Sequence, residues 1–157
     1  MAMGTFTLFD TVTLWEADGT DLLKASNSFQ MILDQSGDNL ISSAYSLYGQ
    51  LTHEVPNGNG YTTGGVALTG VSITRSGAVT TFTWTGPSPD WTSSGTGIPA
   101  WRWIVVYALG TLNGHTNPLV GFCLGNGLNV DIPLTTPGIA ISILPGAAGL
   151  IQITHSP

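Results

Sequence analysis

The chain has 157 residues, enough for one domain that buries most of its apolar surface. Charged residues make up 8% of it, against about 25% in an ordinary soluble domain. With nine carboxylates, three cations and no Lys/Arg cluster, the net charge of −6 speaks against phosphate neutralisation on nucleic acid and against attraction to anionic membranes. A coat of Thr, Ser, Gly and Asn must cover the surface, and so low a charge points to a subunit of an assembly, because charge is depleted at interface cores. Cys123 stands alone in the run Leu119 to Leu124, which excludes an internal disulfide and predicts a buried, inert thiol. No cationic segment followed by an apolar core opens the chain, so no signal peptide is expected. The most apolar stretch, Ile139 to Ile153, is broken by Pro145 and glycines and is too short to cross a bilayer as a helix.

In chain order, Thr5 to Trp15 fits two patterns. Phe6, Leu8, Val12 and Leu14 alternate as in a strand, while Leu8, Val12 and Trp15 fit one helix face, with Glu16-Ala17-Asp18-Gly19 resembling a helix end. Phe29 to Leu33 is a short apolar run between turn formers and reads as a strand. From Leu40 to Leu51 apolar residues recur at helical spacing behind Asp38 or Asn39 as cap, which predicts one short helix around residues 40–51. Pro56-Asn57-Gly58-Asn59-Gly60 and Gly64-Gly65 then form a shaped glycine loop.

Strand candidates follow at short intervals: Val66 to Thr74, Val79 to Thr85, Trp101 to Leu109, Leu119 to Leu124, Asn129 to Leu134, Ile139 to Leu144 and Leu150 to Thr154. Trp101 to Leu109 holds eight apolar residues in nine, the pattern of a central strand buried on both faces. The pattern predicts a mainly β fold, an antiparallel β-sandwich or barrel-like sandwich, as a single domain over 1–157 in which residues 1–50 form a docking arm.

Titratable groups for catalysis are few. His53, His115 and His155 are widely separated, and neither a zinc signature nor a nucleophile elbow occurs. Gly95-Thr96-Gly97-Ile98-Pro99-Ala100 matches a degenerate dinucleotide fingerprint but leads into a strand where that motif needs a helix. No catalytic residue, cofactor or metal ion is expected.

Tryptophans 84, 91, 101 and 103 lie close together in sequence, as in sheets that stack sugar rings. Trp101 and Trp103 share a strand face with Val105 and Tyr107, so that pair is expected in the core. Trp91, in the polar loop Gly86 to Thr92, is the candidate surface anchor, with Trp15 and Tyr61 as further interface candidates. Among polar groups, Glu54 beside the glycine loop is expected to accept hydrogen bonds from its amides. Arg102, a lone charge in an apolar strand, needs a partner, with Glu54 and Asp90 as the two candidates.

Beyond these patterns, the succession His53-Glu54-Val55, Gly60-Tyr61 to Val71, Phe82-Thr83-Trp84, Trp101-Arg102-Trp103-Ile104-Val105-Val106-Tyr107 and Asn117-Pro118-Leu119-Val120-Gly121-Phe122 resembles a family of small structural proteins of tailed bacteriophages. The resemblance covers residues 50 to 155 and, more loosely, the first fifty; the Trp-rich stretch from Pro87 to Pro99 departs from it. It implies a capsid decoration (cement) protein on the outer surface of the virion head, commonly a homotrimer, with the major capsid protein as partner and no catalytic residues. A minor tail or head-tail structural protein is the alternative within the virion. A carbohydrate-binding β-sandwich module using Trp91 is the alternative outside it.

Overall fold

The computed structural model describes residues 5–41, 44–76, 79–85, 90–143 and 151–154. Its strands are β1 (Thr7–Leu8), β2 (Phe29–Asp34), β3 (Val66–Leu68), β4 (Val71–Ser76), β5 (Val79–Trp84), β6 (Asp90–Thr92) and β7 (Trp103–Ala108). They continue as β8 (Thr111–Leu112), β9 (His115–Thr116), β10 (Leu119–Leu124), β11 (Ala140–Ser142) and β12 (Ile151–Thr154). One α-helix, α1 (Asp10–Ala17), and a 3₁₀ turn at Tyr48–Gln50 are the helical elements among the described residues.

The expected central strand is present as β7. It is paired on both sides, in a five-stranded antiparallel sheet of order β1-β10-β7-β2-β3, and all of its residues are buried. Burial on both faces explains why its sequence is continuously apolar and does not alternate. A second sheet, of order β12-β5-β4, packs on the first: Phe29 of β2 meets Phe82 of β5 edge-on with ring centroids 5.0 Å apart. The fold is thus mainly β and sandwich-like. On the other side of β7, Trp103 packs edge-on against Phe122 at 5.7 Å and Tyr107 stacks on Tyr48 at 4.5 Å. Smaller ribbons, β6 with β11 and β8 with β9, complete the structure.

The ambiguous opening segment is both things in turn. Thr7 and Leu8 pair with Phe122 and Gly121, and the chain then enters α1, with Asp10 favourably placed in its first turn. Val12 and Trp15 face inward, and the helix ends at Gly19, whose φ of +84° lets the chain turn away. Among the described residues of the first fifty, β1 and β2 belong to the main sheet, β2 as an interior strand between β7 and β3, and α1 packs inward through Val12 and Trp15.

Among the described residues of 40–51 the expected helix is absent, and Tyr48–Gln50 alone makes a helical turn. The reason is tertiary pairing. Tyr48 N–H donates to the Asn117 carbonyl at 2.9 Å and Leu119 N–H to the Ser46 carbonyl at 2.9 Å, so Ser46 to Tyr48 runs extended beside Asn117 to Leu119. The Gln50 side chain accepts the N–H groups of Ser46 and Leu47 at 2.7 and 2.9 Å, closing the turn. Asn129 to Leu134 is also not a strand; its contribution is an isolated bridge between Ile132 and Trp101. Val66 to Thr74 is split by a turn at Gly70, φ +63°, into β3 and β4 of different sheets. Residues 86–89, Leu144, Leu150 and His155 lie outside the described residues.

Candidate functional site

Strand β2 ends at Asp34, which bridges to Glu54; the Gln35 N–H donates to the His53 carbonyl at 2.9 Å and the Val55 N–H to the Leu33 carbonyl at 3.0 Å. This short pairing brings Asp34, Asp38 and Glu54 together with a set of phenols. The Tyr61 hydroxyl donates to Glu54 Oε1 at 2.8 Å, the Tyr48 hydroxyl donates to Glu54 Oε2 at 2.5 Å, and the Gly64 N–H donates to Oε1 at 2.7 Å. The Tyr107 hydroxyl donates to the Gly64 carbonyl at 3.0 Å, and the Leu33 N–H donates to the Tyr61 oxygen at 3.1 Å. Glu54 therefore pins the glycine loop to β2 and β7. Burial first, and then the Glu54 charge, hold the Tyr48 and Tyr61 phenols well above their ordinary range and push Tyr107 up to about 12.

Asp38 is buried but well supplied with donors. Its carboxylate accepts from Thr52 N–H at 2.8 Å, His53 N–H at 2.9 Å and the Thr52 hydroxyl at 3.1 Å, and lies 3.0 Å from His53 Nδ1. Burial works against its charge, but these His53 and Thr52 contacts outweigh it and hold the carboxyl below its usual range. Asp34 is fully buried and neither of its oxygens makes a hydrogen bond of ordinary geometry. Burial, followed by the Asp38 and Glu54 charges, pushes it up to about 8.

Asp34 and Asp38 are shut away from solvent at 0% and 1% exposed, whereas the His53 side chain beside them is 49% exposed. Among the described residues no group of three or more His, Cys, Asp or Glu side chains is arranged to hold a metal ion. No described helix is long and apolar enough to cross a membrane. The cluster organises backbone: it fixes where the 56–65 loop leaves the sheet.

The three interface candidates are corrected by their burial. Trp91 and Tyr61 are each 2% exposed and stack on one another with centroids 5.8 Å apart, while Trp15 is 6% exposed and stacks on His115 at 4.4 Å. Trp91 is drawn inside because β6 pairs with β11, opposing it to Ile141, where a polar loop context had predicted exposure. Trp84, Trp91, Trp101 and Trp103 are all buried, and none of their indole N–H groups makes a hydrogen bond among the described residues. They act as apolar volume, so no exposed row of tryptophans exists among them to stack sugar rings.

Arg102 pairs with neither of its expected partners. Its Nε donates to Asp131 at 2.8 Å and Nη1 to the Asn129 side chain at 3.1 Å, while Glu54 is occupied by the phenols and Asp90 lies exposed at the start of β6. The guanidinium escapes the sheet toward Asn129 and Asp131, in the stretch Asn129 to Leu134 that the sequence pattern had assigned to a strand. Since Asp131 is 42% exposed, Asp131→Ala is expected to lower stability by less than about 1 kcal/mol in urea unfolding. Cys123 is buried as expected, with its thiol pushed up to about 12 by burial.

The exposed surface offers one feature that motif reading missed. Of the large apolar side chains left in water among the described residues, Leu128, Val130, Leu134 and Ile139 come from one irregular stretch and are 50% to 64% exposed. The sequence pattern assigned Asn129 to Leu134 to a strand, but in the fold Ile132 turns inward against Trp101 while its apolar neighbours face outward. No family model, no curated protein and no solved structure matches the chain.

Proposed function

We propose that this protein is a non-enzymatic structural component of a tailed-bacteriophage virion, a capsid decoration protein that docks on the assembled head and reinforces contacts between major capsid subunits. The observation that carries the reading is the apolar 128–139 stretch, Leu128, Val130, Leu134 and Ile139, standing exposed on a chain with only 8% charged residues. Exposed apolar groups in such a setting mark surfaces that meet other protein. The ordered motifs from His53 to Phe122 supply the kind of assembly. Such a protein stabilises the shell by binding the assembled state and not its dissociated subunits. A homotrimer is the proposed functional unit. The burial of Trp84, Trp91, Trp101 and Trp103 removes the support for the carbohydrate-binding reading.

The test is co-sedimentation of the purified protein with phage heads that lack it. Saturable binding to heads, with a higher melting temperature of the decorated shell, is the expected result. A Leu128→Ser/Leu134→Ser double variant that keeps the wild-type melting temperature in solution is expected to bind at least tenfold more weakly. No binding to heads, or binding to isolated tails instead, would reject the head assignment.

A further inference from the structure

The three carboxyls at the end of β2 share hydrogen-bond donors unequally. Glu54 accepts from Tyr48, Tyr61 and the Gly64 N–H, and Asp38 accepts from Thr52 and His53, with the Tyr45 hydroxyl a further donor at 3.3 Å. Asp34 stands in the field of both, its oxygens without a hydrogen bond of ordinary geometry, with only the Gln35 N–H and the Asp38 carboxyl as close polar neighbours and with no exposure to water. Its partner across the strand pair is Trp103, an apolar wall, and the nearest cation in sequence from β7's side, Arg102, is committed to Asp131 and Asn129. Two carboxyls well supplied with donors thus stand near a third that is poorly supplied. A buried carboxylate in that position is disfavoured both by desolvation and by like charge, so Asp34 is the member that carries a proton.

We propose that Asp34 is a protonation latch: while neutral it lets the end of β2 pair with His53 to Val55, and on losing its proton it opens that pairing and frees the glycine loop held by Glu54. The two backbone bonds at stake are Gln35 N–H to the His53 carbonyl and Val55 N–H to the Leu33 carbonyl, with the Gly64 N–H bond to Glu54 downstream of them.

The sign follows from the direction of the shift. With its carboxyl pushed up to about 8 in the fold and near 3.9 when unfolded, Asp34 keeps a proton in the folded chain that the unfolded chain has lost. Its contribution is fully present below about pH 4 and is lost as pH rises to about 8, by about tenfold in the folding equilibrium per pH unit.

Amide hydrogen exchange of the wild-type protein between pH 6.5 and 9.5 tests the latch, with protection factors corrected for intrinsic rates and Val105 and Val106 of β7 as internal references. Protection at Gln35, Val55 and Gly64 is expected to be lost by pH 9.5 while Val105 and Val106, lowered only along with global stability, stay protected, and Asp34→Asn is expected to keep all five amides protected. Protection at Gln35, Val55 and Gly64 that still equals that of the references at pH 9.5, or the same loss in Asp34→Asn, would overturn the proposal. Should the variant not fold, NMR titration of the wild-type Asp34 carboxyl carbon decides alone: a midpoint above pH 7 supports the latch and one near 4 rejects it.

Discussion

Glu54→Ala is expected to destabilise the protein by about 3 kcal/mol. The change leaves the buried Tyr61 hydroxyl only the Leu33 carbonyl, 3.5 Å away, as acceptor, removes the partner of the half-buried Gly64 N–H, and frees the Tyr48 hydroxyl, which is only partly buried and can turn to water. Each buried donor left unsatisfied costs about 1–3 kcal/mol, and the Tyr48 bond adds less because solvent replaces it. Glu54→Gln separates charge from geometry. Its amide oxygen can still accept from Tyr61 and Gly64, and its NH₂ can donate to the Tyr48 oxygen, so a loss of about 1 kcal/mol is expected. Urea unfolding of the two variants gives the comparison, and an alanine variant within about 1 kcal/mol of wild type would show that the network does not hold the loop.

Gly65→Ala is expected to be at least as damaging, for a different reason. Gly65 has φ +76°, and a Cβ there would lie 1.9 Å from the Met31 carbonyl oxygen and 2.7 Å from Ile32 Cγ2. The left-handed conformation costs a side chain about 1–2 kcal/mol, and forcing β2 away from β3 adds about 1–3 kcal/mol more. Gly64→Ala is the control, because its φ is +90° but the nearest neighbour of the added Cβ is the Tyr107 hydroxyl at 3.7 Å. Only the conformational part, about 1–2 kcal/mol, is expected there. Equal losses in the two variants would mean that the backbone of β2 yields freely, contrary to the close approach of Gly65 to the Met31 carbonyl.

These two glycines also show what a sequence can and cannot reveal. That the Gly64-Gly65 pair needs positive φ was legible from residue type alone, and so were Glu54 as an acceptor of loop amides and β7 as a strand buried on both faces. What the Gly65 Cβ would strike was not legible, because Met31 lies more than thirty residues away in the chain. The same non-local pairing explains the errors. Leu40 to Leu51 has helical periodicity, but Ser46 and Tyr48 are bound to Leu119 and Asn117, partners that no local window contains. Trp91 sits beside polar and proline residues yet is covered by Tyr61 and by β11. Arg102 did need a partner, and the choice of Asp131 over Glu54 depends on which way the 126–132 segment folds back. At the Asp34 cluster the carboxyls are visible in sequence, whereas the unequal distribution of donors among them is a property of three-dimensional placement.

The position of β7 has a consequence for how the chain is made. Its neighbours are β2, some seventy residues earlier, and β10, which ends at Leu124, so the main sheet cannot close until most of the polypeptide has left the ribosome. Until then the Phe29–Asp34 segment is an apolar strand that can pair only with β3, its other edge waiting for a partner that does not yet exist. Distant pairing of this kind slows folding, and exposed strands invite pairing with other chains. Synthesis at low temperature or with chaperones in excess should therefore raise the soluble yield, and amino-terminal fragments ending before β7 should aggregate.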